Sequence, residues 1–171
     1  MKEIQFREHN CAECKHIKRV GVLDSATLYC TAGKKARRLP KAGVKRKVAD
    51  WCPKKISPPR CRIFGFKNEE EENLDFLINR NGDTNVIRDL AFPASHRYKV
   101  RCTYPLDMTA KQFWSALEEQ SVFDIFSDAE LTQGEVIEID DGLRPYYFYF
   151  SYQCKIYPVQ LFDLEKTEEG V

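Results

Sequence analysis

The stretch EVIEIDDGLRPYYFYFSYQCKIYPVQLFDL, residues 135–164, carries the strongest fold signal in the chain. It contains two runs of β-branched and aromatic residues, which favour strands. Between them lies Asp141-Gly142, a dipeptide typical of a tight hairpin turn. Pro158 interrupts the pattern after the second run, as expected near a sheet edge. The stretch therefore predicts an antiparallel sheet.

Two helices and another strand are predicted upstream of this hairpin. Residues 96–104 alternate apolar and basic side chains, as in a half-buried strand. Thr109 and Gln112 have the spacing of a capping box, which marks the start of a helix. Another helix is predicted from Asn68, because four acids occupy its first turn. Its inward apolar stripe is predicted to be Leu74, Leu77 and Ile78. These elements predict an acidic α+β domain over residues 61–171.

Charge divides the chain into two halves. Residues 1–62 contain 17 Lys and Arg but 5 Asp and Glu, whereas residues 63–171 contain 10 and 21. The prolines of KKISPPRC, residues 54–61, forbid a helix across the joint. We therefore predict a separate basic module over residues 1–60, and we expect the two halves to meet different partners.

A set of four cysteines in the first module has the spacing of a metal site. Apolar residues are sparse there, and a segment of this size needs a staple. Cys11-x2-Cys14 places two thiolates on one turn, and Cys30 and Cys52 complete a tetrahedron that suits zinc. A closed site of four sulfurs is structural, so its binding free energy is folding free energy. The fold prediction is therefore a metal-stapled basic module followed by an α+β domain.

Three alternatives to this zinc site stay open. His16 or Cys61 can replace one of the four ligands. The dipeptide Cys52-Pro53 is also found at iron–sulfur clusters, so a cluster is the alternative cofactor. The cysteines can also be unrelated buried thiols.

Residues 11–53 carry a resemblance to known proteins. With CAEC, YCTAG and DWCP in this order, they resemble the small cysteine modules of phage and mobile-element proteins, which combine an N-terminal CxxC with a late Trp-Cys-Pro. In length and charge division, the whole chain is similar to zinc-carrying anti-CRISPR proteins. This resemblance implies zinc binding, a phage origin, and inhibition of an RNA-guided host nuclease through its nucleic-acid-handling surfaces.

Eight cations lie between Cys30 and Cys52 without an acid among them. They are Lys34, Lys35, Arg37, Arg38, Lys41, Lys45, Arg46 and Lys47. Charge runs of this kind are commonly solvated loops, but clustered cations also release counterions from nucleic acid. The patch therefore predicts binding to nucleic acid or to an acidic protein surface. The aromatic residues nearby are few, Tyr29 and Trp51, which disfavours single-strand recognition.

The acidic half offers a second predicted partner surface. Its members are Glu69, Glu70, Glu71, Tyr147 and Tyr149. An acidic surface repels phosphate, and tyrosine is frequent at protein interfaces, so a protein is the predicted partner. The alternative is that the tyrosines pack in the core or on the sheet. Cys102 and Cys154 are predicted to be ordinary buried thiols.

Motifs of catalysis and of membrane insertion are absent from the sequence. It has three histidines and no Gly-rich phosphate loop, nucleophile elbow or paired-histidine metal motif. It has no apolar run long enough for a membrane span, and its first residues lack the apolar stretch of a signal peptide. We therefore expect a protein without enzymatic activity in the cytoplasm, which is the host cytoplasm if the protein is phage-encoded.

These observations predict a non-catalytic zinc-binding protein that acts by binding a macromolecule. The first version has a protein partner, and the resemblance implies a CRISPR effector nuclease and a phage-encoded inhibitor. The alternative is a zinc-containing regulatory protein that binds DNA or RNA through its basic module. Neither version involves a membrane.

Overall fold

The computed structural model describes residues 6, 10–22, 26–40, 48–80, 92–160 and 162. Within them the chain is α+β with antiparallel sheets, as the sequence predicts. It divides into two compact units, Met1–Ile56 with Gly142–Arg144 and Ser57–Asp141 with Pro145–Val171. The sequence-based division falls after residue 60, whereas Arg60 is the first residue of a strand in the second unit.

The first unit contains a three-stranded antiparallel sheet in the order β1-β2-β3. Its strands are β1 (Ile17–Val20), β2 (Thr27–Cys30) and β3 (Arg37–Leu39). One face of this sheet covers a small buried cluster of Cys11, Cys30 and Leu39. Successive residues of a strand face opposite sides, so Leu28 and Cys30 pack at this cluster while Tyr29 faces away from it.

The second unit contains a five-stranded antiparallel sheet in the order β5-β4-β6-β7-β8. Its strands are β4 (Arg60–Phe66), β5 (Tyr98–Pro105), β6 (Val136–Asp140), β7 (Pro145–Phe150) and β8 (Ile156–Val159). The predicted hairpin is confirmed, because β6 pairs with β7 from Val136 opposite Tyr149 to Asp140 opposite Pro145. Gly142 has a φ of +82°, which a residue with a Cβ rarely adopts.

The helices of the second unit begin where their capping residues predict. Among the described residues they are α1 (Glu69–Asn79), α2 (Ala110–Ala116) and α3 (Val122–Ile125). The Asn68 side chain accepts from the Glu71 N–H and opens α1. Thr109 and Gln112 form the predicted capping box at α2. The starts of α1 and α2 therefore follow from local side-chain hydrogen bonds.

Both faces of the second sheet are covered. On one face, Phe64, Val136 and Tyr149 belong to one buried cluster with Tyr98. On the other face, the Phe148 ring lies 5.0 Å from the Phe113 ring of α2. Residues in the middle of β6 are consequently buried whichever way they point.

The predicted orientation of α1 is wrong. Leu74, Leu77 and Ile78 are 49%, 60% and 46% exposed, whereas the buried residues of the helix are Asp75 and Asn79. The Asp75 carboxylate accepts hydrogen bonds from Tyr149 Oη at 2.9 Å and from Asn79 Nδ2 at 3.1 Å. A polar network therefore determines which side of α1 faces the sheet.

Candidate functional site

The four predicted zinc ligands all lie in the first unit, on segments joined by backbone contacts. Cys11 lies in a 3-10 turn, and its carbonyl accepts from the Cys14 N–H at 3.3 Å. Cys30 ends β2 and lies opposite both Ile17 of β1 and Arg37 of β3. The fold thus brings the CxxC turn and β2 to one small sheet.

The fourth cysteine, Cys52, is connected to the same turn through Ala49. The Ala49 N–H donates to Cys11 Sγ at 3.4 Å, and the Ala49 carbonyl accepts from the Cys52 N–H at 2.9 Å. One backbone residue, Ala49, thus links the Cys11 sulfur to the segment that carries Cys52.

The side chains do not converge into a tetrahedron. Among the described residues, no three His, Cys, Asp or Glu side chains are grouped as a metal site requires. Cys11 and Cys30 are buried, Cys52 is half-buried and Cys14 is exposed. The donor chemistry and backbone neighbourhood suit zinc, but the four side chains are not grouped as a metal site within the described residues.

Of the two alternative ligands, Cys61 is the less favourable by its burial. It lies in β4 of the second unit and is fully buried. Burial raises the pKa of its thiol to about 12, and nearby Cys102 and Glu138 add to the effect. A thiol that resists deprotonation is a poor zinc ligand. His16, half-buried before β1, stays an alternative, and its carbonyl accepts from the Thr31 N–H and hydroxyl.

The other two cysteines differ in exposure. Cys102 is half-buried in β5, whereas Cys154 is exposed, so the prediction of a buried thiol is wrong for Cys154. Cys154 has a φ of +55°, and its sulfur accepts from Gln133 Nε2 at 3.1 Å. It lies in the turn after β7, where the strand pattern of the sequence no longer holds.

The described half of the predicted basic patch is exposed. Lys34, Lys35, Arg37 and Arg38 are exposed, whereas Lys41, Lys45, Arg46 and Lys47 lie outside the described residues. The Arg37 guanidinium lies 5.2 Å from the centre of the Trp51 ring, a cation–π contact. Within the described parts of the chain, Lys34, Lys35 and Arg38 form no ion pair.

The sheet adds a cation that the sequence analysis missed. Lys18 of β1 lies opposite Tyr29 of β2, which lies opposite Arg38 of β3. The three side chains therefore form one row across one face of the sheet. The sequence around Lys18 and Tyr29 alternates in polarity, which is typical of strands. Each segment is too short, however, to predict which residues of the two strands lie opposite each other.

The predicted acidic and aromatic surface is only partly present. Glu69 and Glu70 are exposed, but Glu71 is held by Arg97, whose Nε donates to Glu71 Oε2 at 2.6 Å. Tyr147 is 9% exposed and Tyr149 is fully buried. Both tyrosines lie within the core, because helices and loops cover the face that the sequence pattern left open. They are therefore removed from this partner surface.

Buried acids of the second unit are paired with arginines. Glu138 is fully buried and receives two hydrogen bonds from Arg62, at 2.8 and 2.9 Å. Arg60 donates to Asp140 at 2.8 Å. These ion pairs connect neighbouring strands. The charges of the paired residues are neutralised within the fold and are not available to a partner.

A cleft of about 320 Å³ beside β4 contains the buried carboxyl of Glu135. Burial raises the pKa of this group, although bonds from Arg101 and Thr132 oppose the shift. One oxygen of Glu135 pairs with Arg101 Nε, and the other accepts from Arg101 Nη2 and the Thr132 N–H. Both oxygens are thus engaged within the fold, as expected for a structural carboxylate.

No protein-family model, curated protein or solved structure matches this chain. The resemblance of residues 11–53 to phage cysteine modules consequently stays a prediction from the motif. In the part of the chain that the structure describes, the helices are too short or too polar to traverse a membrane.

Proposed function

We propose that this protein binds nucleic acid through the first unit and acts by binding rather than by catalysis. The main support is the difference in charge pairing between the units. Lys18, Lys34 and Lys35 are exposed and form no ion pair within the described residues, whereas Glu138 and Glu71 of the second unit are each paired with an arginine. Unpaired clustered cations attract a polyanion, because binding releases its counterions.

Zinc is the proposed cofactor of this unit, with a structural role. Cys11, Cys14, Cys30 and Cys52 would hold it as thiolates, which requires their side chains to converge around the ion. The bound ion would supply folding free energy to a unit whose apolar cluster is small. An iron–sulfur cluster is the alternative, and metal analysis of the purified protein distinguishes the two.

A salt titration tests the nucleic-acid proposal. Binding of the metal-loaded full chain to labelled strands and duplexes should weaken steeply with salt, by several logarithmic units of affinity per tenfold rise. The Lys34→Glu/Lys35→Glu variant should bind much more weakly. Lys155→Glu is the matched control, because Lys155 is an exposed lysine of the second unit. Absence of binding at low salt, or equal loss in the control, would contradict the proposal.

A protein partner is the second candidate, and helix α1 favours it. Leu74, Leu77 and Ile78 form an exposed apolar stripe beside the exposed acids Glu69 and Glu70. Such a stripe suits the surface of a basic protein that also presents apolar residues. An inhibitor of an RNA-guided nuclease, as the anti-CRISPR resemblance implies, would bind in this way.

An inhibition assay tests this second candidate. The protein should suppress target cleavage by an assembled RNA-guided nuclease, and Leu74→Glu/Leu77→Glu should restore cleavage. Lys111→Glu on α2 is a surface-charge control outside the stripe. If cleavage is unaffected by wild-type protein across effectors of several types, the inhibitor proposal is wrong.

A further inference from the structure

The open face of the first sheet carries an aromatic ring between two cations. Tyr29 occupies the central strand, and Lys18 and Arg38 lie directly opposite it on the two neighbouring strands. Strands in a sheet are about 4.8 Å apart, so the two cationic positions are separated by about 10 Å with the ring in the middle.

The buried cluster of the first unit lies on the opposite face of the same sheet. Ile17, Leu28 and Leu39 all pack there with Cys11 and Cys30. Because side chains alternate along a strand, the Lys18–Tyr29–Arg38 row lies on the other face. Lys18 and Arg38 are exposed and Tyr29 is half-buried.

The remaining positions of this face add no negative charge. Val20, two residues after Lys18, is 60% exposed. Thr27 of β2 lies opposite Val20. Among the described strand residues, the face thus presents two cations, one aromatic ring, one hydroxyl and one apolar side chain. An anion that also carries flat apolar surfaces complements this set.

We propose that this face binds single-stranded nucleic acid, with a base stacked on Tyr29 and neighbouring phosphates held by Lys18 and Arg38. The inference rests on the nucleic-acid function proposed above and assigns its strandedness and mode of contact. In a duplex each base is already stacked on its neighbours, so a ring on a flat sheet reaches only an unpaired base. Stacking is also tolerant of sequence, because every base has a π face.

This inference departs from the expectation that the basic module disfavours single strands. That expectation counted the few aromatic residues near the cations in the sequence and did not place Tyr29 relative to Arg38. The β2–β3 pairing makes the two residues neighbours. One ring between two cations offers a stacking surface for one base and contacts for its flanking phosphates.

Equilibrium binding to matched probes tests the inference. The metal-loaded full chain is titrated by fluorescence anisotropy against a labelled DNA strand, an RNA strand of the same sequence, and the DNA duplex. Tyr29→Leu retains an apolar side chain but has no π face, and it should weaken single-strand binding about tenfold or more while leaving duplex binding within about twofold. Tyr29→Phe should bind single strands nearly as the wild type does.

Neutralisation of the cations gives a second readout. Lys18→Gln/Arg38→Gln should weaken binding to every probe and reduce the slope of log affinity against log salt by about 1.4 for single strands, which is 0.7 for each lost phosphate contact. Lys155→Gln is the matched control in the second unit. Two-dimensional NMR spectra of the amide resonances of each variant verify that the first unit stays folded.

The outcomes separate the two proposals. If the wild type shows no salt-dependent binding to any probe, both proposals fail. If Lys18→Gln/Arg38→Gln weakens binding but Tyr29→Leu has no effect, or weakens single strands and duplex equally, the nucleic-acid function stands and single-strand stacking is overturned. A difference between the DNA and RNA strands of at least tenfold identifies the preferred sugar.

Discussion

The first unit buries little, whereas the second is built around a sheet with two covered faces. Among its described residues, the first unit has three largely buried side chains, Cys11, Cys30 and Leu39, and two of these are cysteines. The second unit encloses aromatic side chains such as Phe64 and Phe148 on opposite faces of its sheet. The comparison indicates that apolar burial stabilises the second unit, and the small core of the first is the reason that zinc is proposed there as a staple.

The two units also use arginine and lysine differently. In the second unit, Arg62 is paired with the buried Glu138, and Arg97 is paired with Glu71. In the first unit, Lys18 and Arg38 are exposed on an open sheet face. The same kind of charge therefore supports the fold in one unit and is available to a partner in the other.

Removal of zinc is expected to produce the largest difference between the units. Structural zinc contributes on the order of 10 kcal/mol in small domains. Chelation should therefore move the amide resonances of Thr27–Cys30 and Arg37–Leu39 into the narrow chemical-shift range of an unfolded chain. Those of Val136–Asp140 should stay in place. Two-dimensional NMR with metal content measured in parallel tests this. Cys154→Ser should leave the result unchanged, and a first unit that stays folded without metal would disprove the staple.

Truncation of a core ring should cost less, and should affect the second unit. Phe148 is 1% exposed and lies against Phe113 and Trp114. Phe148→Ala is expected to lower the free energy of unfolding by about 3–5 kcal/mol, because it leaves a cavity. Phe123→Ala is the matched control, since Phe123 is 47% exposed, and it should cost about 1 kcal/mol. Urea denaturation measures both, and equal costs would contradict the proposed distribution of burial.

Neutralisation of a cation should distinguish the two uses of charge. Arg62→Met leaves the buried Glu138 without its bidentate partner and is expected to cost about 3 kcal/mol. Lys18→Met on the open face should cost less than about 0.5 kcal/mol. Arg62→Met/Glu138→Met should regain much of the loss, because it removes both buried charges. A similar cost for Arg62→Met and Lys18→Met in urea denaturation would contradict the difference in pairing.

The smallest expected effect is a pH dependence that belongs to the second unit. Burial raises the pKa of Asp75 above its usual value of 3.8 and that of Glu135 above 4.5. Because the folded state holds these protons more tightly, the stabilisation is complete below the usual values and is lost as pH rises through the folded pKa of each group.

Substitution of one carboxyl tests this dependence. Glu135→Gln has no proton to lose there, so its free energy of unfolding should fall less steeply than that of the wild type as pH rises above 4.5. Urea denaturation across the acid range measures the two profiles. Parallel profiles would show that Glu135 does not titrate differently in the folded and unfolded states.

Local features of the fold were predictable from the sequence. The turn at Asp141-Gly142 and the capping box at Thr109 depend on residues within a few positions of each other. The strand that contains Tyr98 also follows from its own alternation. In each case the deciding interactions are short-range, so the pattern alone is sufficient.

The candidate site was predictable in composition but not in arrangement. The cysteines and the cations Lys34 and Lys35 can be identified from their residue type and their spacing in the sequence. Tyr149, by contrast, was expected to be on a surface, and it is buried with its hydroxyl on Asp75. The row through Tyr29 was also missed, because it depends on the pairing of strands that are distant in sequence.

The amino-acid sequence alone determined the β6–β7 hairpin, strand β5, the starts of α1 and α2, how charge is divided along the chain and which thiols are grouped in its first part. The tertiary structure decided which faces are buried, as in α1, where Asp75 rather than Leu77 turns inward. It also decided which charges are neutralised and which stay exposed. The physical reason is that backbone propensity acts over a few residues, whereas burial and ion pairing depend on what the rest of the chain places opposite each side chain.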